Sequence, residues 1–363
     1  MRKHYLDNLR WIFVLVLIPY HAAQAWNTWG EPNYIFFEGS RVIASVIVSF
    51  SPYYMPLLFL IAGISSKFAL DKRSYGQFVK ERLKRLLVPL LFGVLVFMPV
   101  MTWLADRFNY GYEGNLLSHY PVFFTKYTDL IGADGGFSFG QFWFLLYLFV
   151  ISLISIGIIA LQKKIIKKET DDIPFWLILL LGLPLPVLDK FLSIGGKSLA
   201  LFLYVYLLGY YVFSKDKVID KLSRFAVLTT SIGVISTAAT VYLFLWSPEE
   251  HAALNTVTSY ISKWFMLLAL LGLGKKFLDV RGSVTDYFSR RSFPFFSFHF
   301  IFVVVLQYLM AECFAQNTFL LYILPVIVAY ILSFICAGIC IRIPVLCFLT
   351  GMKYVPSDKT KRP

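Results

Sequence analysis

The sequence predicts an all-α fold, a polytopic transmembrane helical bundle of about ten spans with the N- and C-termini on the cytoplasmic side. Three observations lead to this fold class. Of the 363 residues, 58% are hydrophobic and only 15% are charged, which leaves too little polar surface for a soluble protein of this length. Apolar runs of about 20 residues recur, each long enough to cross a bilayer. The Lys and Arg residues are concentrated in alternate connecting segments.

The predicted spans determine which connecting segments share a side of the membrane. With the N-terminus inside, cytoplasmic segments carry 28 of the 34 Lys and Arg residues, and external segments carry six. The net charge of +13 then reflects this cytoplasmic excess and its attraction to anionic lipids, so nucleic-acid binding is not expected. The predicted spans are roughly 9–29, 42–66, 86–104, 141–162, 173–189, 198–214, 225–246, 257–274, 292–311 and 318–341.

The chain is therefore expected to be a multi-pass protein of the cell (cytoplasmic) membrane. We expect a single transmembrane domain over residues 1–345, followed by a basic cytoplasmic tail over residues 346–363. The longest predicted aqueous segment, residues 105–140, is external and rich in Asp, Tyr, Asn and Gly. Aromatic rings and carboxylates of this kind suit carbohydrate binding, and the alternative is a solvated loop with an interfacial aromatic belt.

The first predicted span has an arginine near its start, Arg10, and a histidine inside it, His21. On a helix, 11 residues return to within about 20° of the same face and climb about 16 Å. With Arg10 at the cytoplasmic surface, His21 lies near the middle of the bilayer, where ionisable side chains by default mark a functional site. The alternative for His21 is a structural bond to a neighbouring helix. Pro19 lacks a backbone N–H, so we expect it to disturb the helix and free a carbonyl near Leu15.

Basic residues cluster before the third predicted span, in the sequence FVKERLKRLLVP of residues 78–89. Arg82 and Arg85 are three residues apart and therefore neighbours on one helix face. Guanidinium groups suit bidentate phosphate binding, so a phosphorylated cytoplasmic ligand fits this pair. The alternative is the ordinary cytoplasmic excess of basic residues, in contact with lipid headgroups.

Two further motifs occur in the apolar runs. Gln141 and Trp143 open the fourth predicted span at the outer face and are candidate acceptor or pocket residues, although Trp143 also fits an interfacial anchor. His299 lies in the ninth predicted span, about 12 Å along the helix from Arg291. It either lines the same interior cavity as His21 or bonds to a neighbouring helix.

Several motifs of common enzymes are absent from the sequence. It has no Walker-type glycine loop, no His-Glu-x-x-His zinc motif and no Gly-x-Ser-x-Gly elbow. The other histidines, His4, His119 and His251, lie in predicted aqueous ends and loops without metal-ligand spacing. We therefore expect no metal cofactor and no hydrolysis driven by ATP or zinc.

The order of these motifs resembles the acyltransferase-3 family of integral membrane acyltransferases, in the branch that modifies glucans and exopolysaccharides. The resemblance covers nearly the whole chain. The sequence departs from the family pattern at Gln141-Phe142, where many relatives have a histidine before the tryptophan. The matching elements, in chain order, are Arg10 with His21, the stretch PLLFLIAG over 56–63, Arg82 with Arg85 and Pro89, Trp143-Phe-Leu145, and the segment around His299.

The resemblance implies an acyl-CoA donor on the cytoplasmic side and an acceptor hydroxyl of a carbohydrate or glycolipid on the outer side. Arg10, Arg82 and Arg85 would bind the donor. His21 would act as general base, and His299 is the second catalytic candidate. Two other classes of function fit the residues: a transporter or flippase, since buried polar residues and broken helices also mark transport paths, and a non-catalytic component of polysaccharide export.

Overall fold

A computed structural model describes residues 3–127, 130, 132–133, 135–165, 172–314, 316–352 and 354, without the side chains of 163–165. The described chain is mainly helical, with one short antiparallel hairpin of β1 (Ser193–Ile194) and β2 (Lys197–Ser198), so the all-α prediction is confirmed. The α-helices are α1 His4–Ala23, α2 Arg41–Phe50, α3 Tyr54–Leu70, α4 Tyr75–Arg82, α5 Val88–Tyr110, α6 Leu116–Thr125, α7 Trp143–Ile165, α8 Phe175–Leu180, α9 Leu185–Leu188, α10 Leu199–Tyr211, α11 Asp216–Arg224, α12 Ala226–Trp246, α13 Ala252–Phe277, α14 Ser283–Ala311, α15 Thr318–Cys340 and α16 Pro344–Leu349.

Helical segments occur at all ten predicted spans. Within the described residues, α1 and the two shorter apolar segments Phe175–Leu188 and Leu199–Tyr211 occupy three of these positions. The segments at the other seven positions are long and apolar enough to cross a membrane: Arg41–Leu70, Tyr75–Tyr110, Gly140–Gln162, Ala226–Trp246, Ala252–Phe277, Ser283–Ala311 and Thr318–Cys340. The cytoplasmic location of both termini stays a prediction.

Two predicted spans contain breaks at proline. The span predicted over 42–66 is divided into α2 and α3 by a turn that contains Pro52. The span predicted over 173–189 consists of α8 and α9, with Gly182 and Pro184 in the turn between them. Proline removes a backbone donor and disfavours helical geometry in the residue before it, which explains both interruptions.

The chain folds into two compact units, each built from distant parts of the sequence, and the boundary within α1 follows Arg10. Helix α16 extends across the predicted domain boundary at residue 345, and residues 353 and 355–363 of the predicted tail lie outside the described residues. Unit 1 comprises Met1–Arg10, Val48–Glu81 and Tyr147–Thr285, and unit 2 comprises Trp11–Ile47, Arg82–Leu146 and Asp286–Pro363.

In unit 1, helices α3 and α10 pack with their backbones in direct contact. A Cβ atom at Gly63 would clash with the carbonyl oxygen of Tyr206, and one at Gly209 would clash with that of Leu60. The hydroxyl of Tyr206 also donates a hydrogen bond of 2.6 Å to Ser66. Glycine at these positions allows the close helix packing that is typical of membrane proteins.

We expect Gly63→Ala to destabilise unit 1, because the added methyl group overlaps a backbone atom that cannot rotate away. Overpacking of this kind typically costs about 1–3 kcal/mol. Gly157→Ala in α7 is the matched control, because a Cβ atom there meets no heavy atom within 4 Å. In detergent, the thermal midpoint should fall for Gly63→Ala and stay at the wild-type value for Gly157→Ala. Equal midpoints for the two variants would contradict a required backbone contact at Gly63.

A buried ion pair in unit 1 includes one of the six cations that are predicted to be external. That residue, Lys263, lies within α13 and is only 9% exposed. Its Nζ is 3.0 Å from Oδ2 of Asp189, and the hydroxyl of Tyr260 donates to the same oxygen at 2.8 Å. The charge of Lys263 is therefore compensated inside unit 1, as buried charges in membrane helices usually are.

Candidate active site

Helix α1 lacks part of its own hydrogen-bond ladder around Pro19, and side chains of a later helix replace it. The hydroxyl of Tyr330 in α15 donates to the carbonyl oxygen of Leu15 at 2.7 Å. The hydroxyl of Tyr322, also in α15, donates to the carbonyl oxygen of Pro19 at 3.2 Å. Because Pro19 has no N–H, it cannot bond to the carbonyl four residues earlier. The predicted free carbonyl at Leu15 is thus confirmed, and Tyr330 is its partner.

A third side chain binds the last turn of α1. Gln307 of α14 is 1% exposed, and its Nε2 donates to the carbonyl oxygen of Ala22 at 2.9 Å. The Oε1 atom of Gln307 is buried and has no hydrogen-bond partner among the described residues. Contacts on both sides of His21 therefore fix the backbone that carries it.

The ring of His21 is enclosed by aromatic side chains and a second histidine. His21 is 9% exposed, and its Nδ1 lies 2.9 Å from Oε1 of Gln24. Its ring stacks on that of Phe300 with 4.1 Å between centroids, and the ring of His299 lies 5.3 Å away. An amide oxygen only accepts hydrogen bonds, so this contact is a hydrogen bond in the His21 tautomer that carries its hydrogen on Nδ1, which leaves Nε2 as the basic nitrogen.

The two candidate catalytic histidines therefore lie together in unit 2. His299 is fully buried, and its Nδ1 donates to the carbonyl oxygen of Phe296 at 2.6 Å. Its Nε2 is buried without a hydrogen-bond partner in the described part of the chain. A buried acceptor in this state is costly unless a donor reaches it, so this atom is a natural place for a ligand hydroxyl or a second imidazole. Helix α14 begins at Ser283, so it starts before the predicted span over 292–311 and contains Arg291.

Gln141 and Trp143 are also buried in unit 2. Gln141 is 4% exposed in the 3₁₀ turn Gly140–Phe142, and neither polar atom of its amide has a hydrogen-bond partner among the described residues. The ring of Phe142 lies 6.1 Å from that of Phe296, so this turn borders the surroundings of the histidine pair. Trp143 is 6% exposed, which fits a pocket residue better than an interfacial anchor.

The paired arginines lie at the junction of α4 and α5. Arg82 ends α4 and is half-buried, and Arg85 is exposed in a π-helical turn, Leu83–Leu87, that leads into α5. A π turn holds more residues than an α turn, so Arg85 does not take the position that regular helical spacing predicts. Such turns within α-helices are frequent at functional sites. The C-terminal segment covers the turn, since a Cβ atom at Gly351 would lie 2.7 Å from the carbonyl oxygen of Arg85.

Arg10, the third predicted donor residue, belongs to unit 1. Its Nη1 lies 3.1 Å from Oδ1 of Asp7, and its Nη2 donates to Oγ of Ser65 in α3 at 3.1 Å. The side chain is 39% exposed. Arg10 and His21 lie on the same helix, as the sequence predicts, and the guanidinium group of Arg10 is held in place by its neighbours.

The segment predicted to be external, residues 105–140, contains a polar cluster around the buried carboxylate of Asp106. His119 lies on the helix α6 and is fully buried, so it is not a solvated loop side chain. Its Nε2 lies 2.8 Å from Oδ2 of Asp106, and Nζ of Lys126 lies 3.1 Å from Oδ1 of the same carboxylate. Tyr110 stays exposed beside Nζ of Lys126, at 5.2 Å from the ring centroid. Residues 128, 129, 131 and 134 of this segment lie outside the described residues.

Two amide side chains, those of Gln307 and Gln24, contact the His21 segment, and neither was predicted from the sequence. Gln307 had a usable signal, because it is an amide within a long apolar run and buried amides need partners. Gln24 had no such signal. It becomes a neighbour of His21 because α1 passes into the 3₁₀ turn Gln24–Trp26 at this point.

Comparison with known families agrees with this architecture. The family model described as "Acyltransferase domain", that of acyltransferase-3, matches residues 3–342. A search of curated proteins finds no match to the chain, and neither does a search of solved structures. The family match extends over nearly all of the helices above, including those that carry both histidines and the three arginines. The chain belongs to the acyltransferase-3 family and is a multi-pass membrane acyltransferase.

Proposed function

We propose that this acyltransferase moves an acyl group of the acetyl or succinyl type from cytoplasmic acyl-CoA to a hydroxyl group outside the cytoplasmic membrane. The acceptor is a carbohydrate or a glycolipid. The observation that carries the proposal is the buried pair of His21 and His299, with 5.3 Å between ring centroids. In the tautomers that suit their Nδ1 contacts, Nε2 is the basic nitrogen of each ring. Imidazole is the side chain best suited to remove a hydroxyl proton near neutral pH.

The proposed reaction balances without any further reactant. Nε2 of His21 takes the proton of the acceptor hydroxyl while the hydroxyl oxygen attacks the thioester carbonyl carbon. The carbon–sulfur bond breaks, the acyl group remains on the acceptor as an ester, and CoA leaves as a thiolate. The imidazolium of His21 then protonates the thiolate. His299, whose Nε2 has no partner among the described residues, is the second base candidate and accepts a hydrogen bond from the acceptor hydroxyl.

The donor requires cations for its nucleotide phosphates. Arg82 and Arg85 lie at the π-helical junction with Arg85 exposed, and paired guanidinium groups form strong charge-assisted bonds with phosphate. The contribution of Arg10 to donor binding stays a prediction. Anionic lipid headgroups present the same phosphate chemistry, so they are the competing ligands for these arginines.

Sided proteoliposomes test the proposal. Vesicles are prepared with labelled acetyl-CoA or succinyl-CoA on the side of the Arg82–Arg85 turn and an oligosaccharide acceptor on the other side. We expect the label in the acceptor, and none when the protein is omitted. Failure of the protein to transfer either acyl group from CoA would contradict the donor assignment. Transfer that requires donor and acceptor on the same side would contradict the transmembrane arrangement.

A further inference from the structure

We propose that Gln24 is a positioning residue that holds the hydrogen of His21 on Nδ1 and so makes Nε2 the catalytic base. The inference rests on the proposed function of His21. None of the sequence motifs includes Gln24. The direct observation is the 2.9 Å contact between Nδ1 of His21 and Oε1 of Gln24.

The backbone explains why this contact forms. Helix α1 ends at Ala23, and Gln24 begins a 3₁₀ turn. Residues three apart lie on the same side of both kinds of helix, and in a 3₁₀ turn they eclipse one another. The side chain of Gln24 can therefore reach the edge of the His21 ring, where Nδ1 lies.

The turn that carries Gln24 is fixed by a buried asparagine. Asn27 is 3% exposed, and its Nδ2 donates to the carbonyl oxygens of Gln24 at 3.1 Å and of Glu31 at 2.7 Å. The backbone N–H of Glu31 donates in return to Oδ1 of Asn27 at 3.0 Å. Because Gln24 is anchored in this way, its amide can orient the imidazole without a large loss of its own freedom on substrate binding.

An amide suits this position better than a carboxylate. It determines the tautomer of His21 without burying a second charge among aromatic side chains, where an unpaired charge is costly. His299 of α14, at 5.3 Å, and Tyr20 of α1, at 5.4 Å, are titratable side chains whose rings lie near that of His21. Gln24 itself is uncharged, so it orients the ring of His21 without acting as a counter-ion to the imidazolium.

Two substitutions separate positioning from packing. Gln24→Met keeps the length of the side chain and removes the acceptor, so part of the enzyme would hold the hydrogen on Nε2 and could not act as base. We expect kcat to fall by about tenfold, the effect of one hydrogen bond, with unchanged affinity for a CoA analogue. Gln24→Glu keeps an acceptor and adds a negative charge that favours imidazolium. It should retain more activity than Gln24→Met and shift the acidic limb of kcat to higher pH by about one unit.

The tautomer can also be read directly in the wild-type protein. In ¹⁵N-histidine-labelled enzyme, with the His21 signals identified by their loss in His21→Ala, we expect nitrogen shifts of the Nδ1–H form. Signals of the Nε2–H form would overturn the inference even if a Gln24 variant failed to fold. Wild-type kcat and pH profile in Gln24→Met, together with an inactive His21→Ala, would also overturn it and leave the proposed function standing. Full activity in His21→Ala would instead reject the proposed function itself.

Discussion

Purified His21→Ala is expected to lose acyl transfer by about 10²–10⁴-fold, because the acceptor hydroxyl no longer has a general base. The variant should stay folded, since Tyr330 and Gln307 bond to the backbone of α1 and not to the imidazole. It should also bind a CoA analogue normally. The measurement is transfer per monodisperse molecule, with donor binding determined on the same preparation.

The matched control for this variant is His251→Ala. His251 is exposed at the start of α13 in unit 1, so its removal should leave transfer unchanged. Near wild-type transfer by His21→Ala would reject the base role. Loss of donor binding together with transfer would place His21 in the donor site, and His299 would become the base to test next.

Removal of either Arg82 or Arg85 is expected to weaken binding of a CoA analogue by about tenfold. This is the lower end of the effect expected for loss of one charge-assisted hydrogen bond. The lower range applies because Arg85 is exposed, and solvent and salt screen its charge. The changes are Arg82→Ala and Arg85→Ala, and the measurement is titration of the purified protein with the analogue. Stability should change little.

Lys84→Ala provides the control for net charge. Lys84 is exposed in the same π-helical turn, so the substitution removes the same charge from the same surface. We expect the affinity of Lys84→Ala for the CoA analogue to stay within twofold of the wild type, because the ammonium group of Lys84 lacks the guanidinium fork that binds phosphate in two places. Equal losses in Lys84→Ala and Arg85→Ala would show that general positive charge, and not a specific phosphate site, attracts the analogue.

Most of the helical architecture could be predicted from the sequence, because a membrane span needs only length and continuous apolar character. Helices α12, α13 and α15 lie within a few residues of the predicted spans. Interruptions were harder to predict. A proline can either kink a membrane helix or end it, and neighbouring helices decide which occurs, as the break at Pro52 illustrates.

The candidate site was predictable where chemistry alone marks a residue. A histidine in an apolar run is easily recognised, so His21 and His299 were both selected from the sequence. The distance of 5.3 Å between their ring centroids was not predictable, because it depends on packing between segments far apart in the chain. Gln24 and the π-helical turn at Arg85 were not predictable, because each depends on a local change in helix type. Propensity differences between helix types are too small to mark such changes.

The carbonyl contacts of α1 also set an order of assembly. Gln307 follows Ala22 by 285 residues, which corresponds to roughly 15–60 s of translation at ordinary rates. Until α14 and α15 are synthesised, the carbonyl of Leu15 has neither its helical partner nor Tyr330, and an unpaired carbonyl is costly in an apolar medium. The segment that carries His21 is thus made first and completed last. Insertion factors and membrane proteases have that whole interval in which to act on the nascent chain.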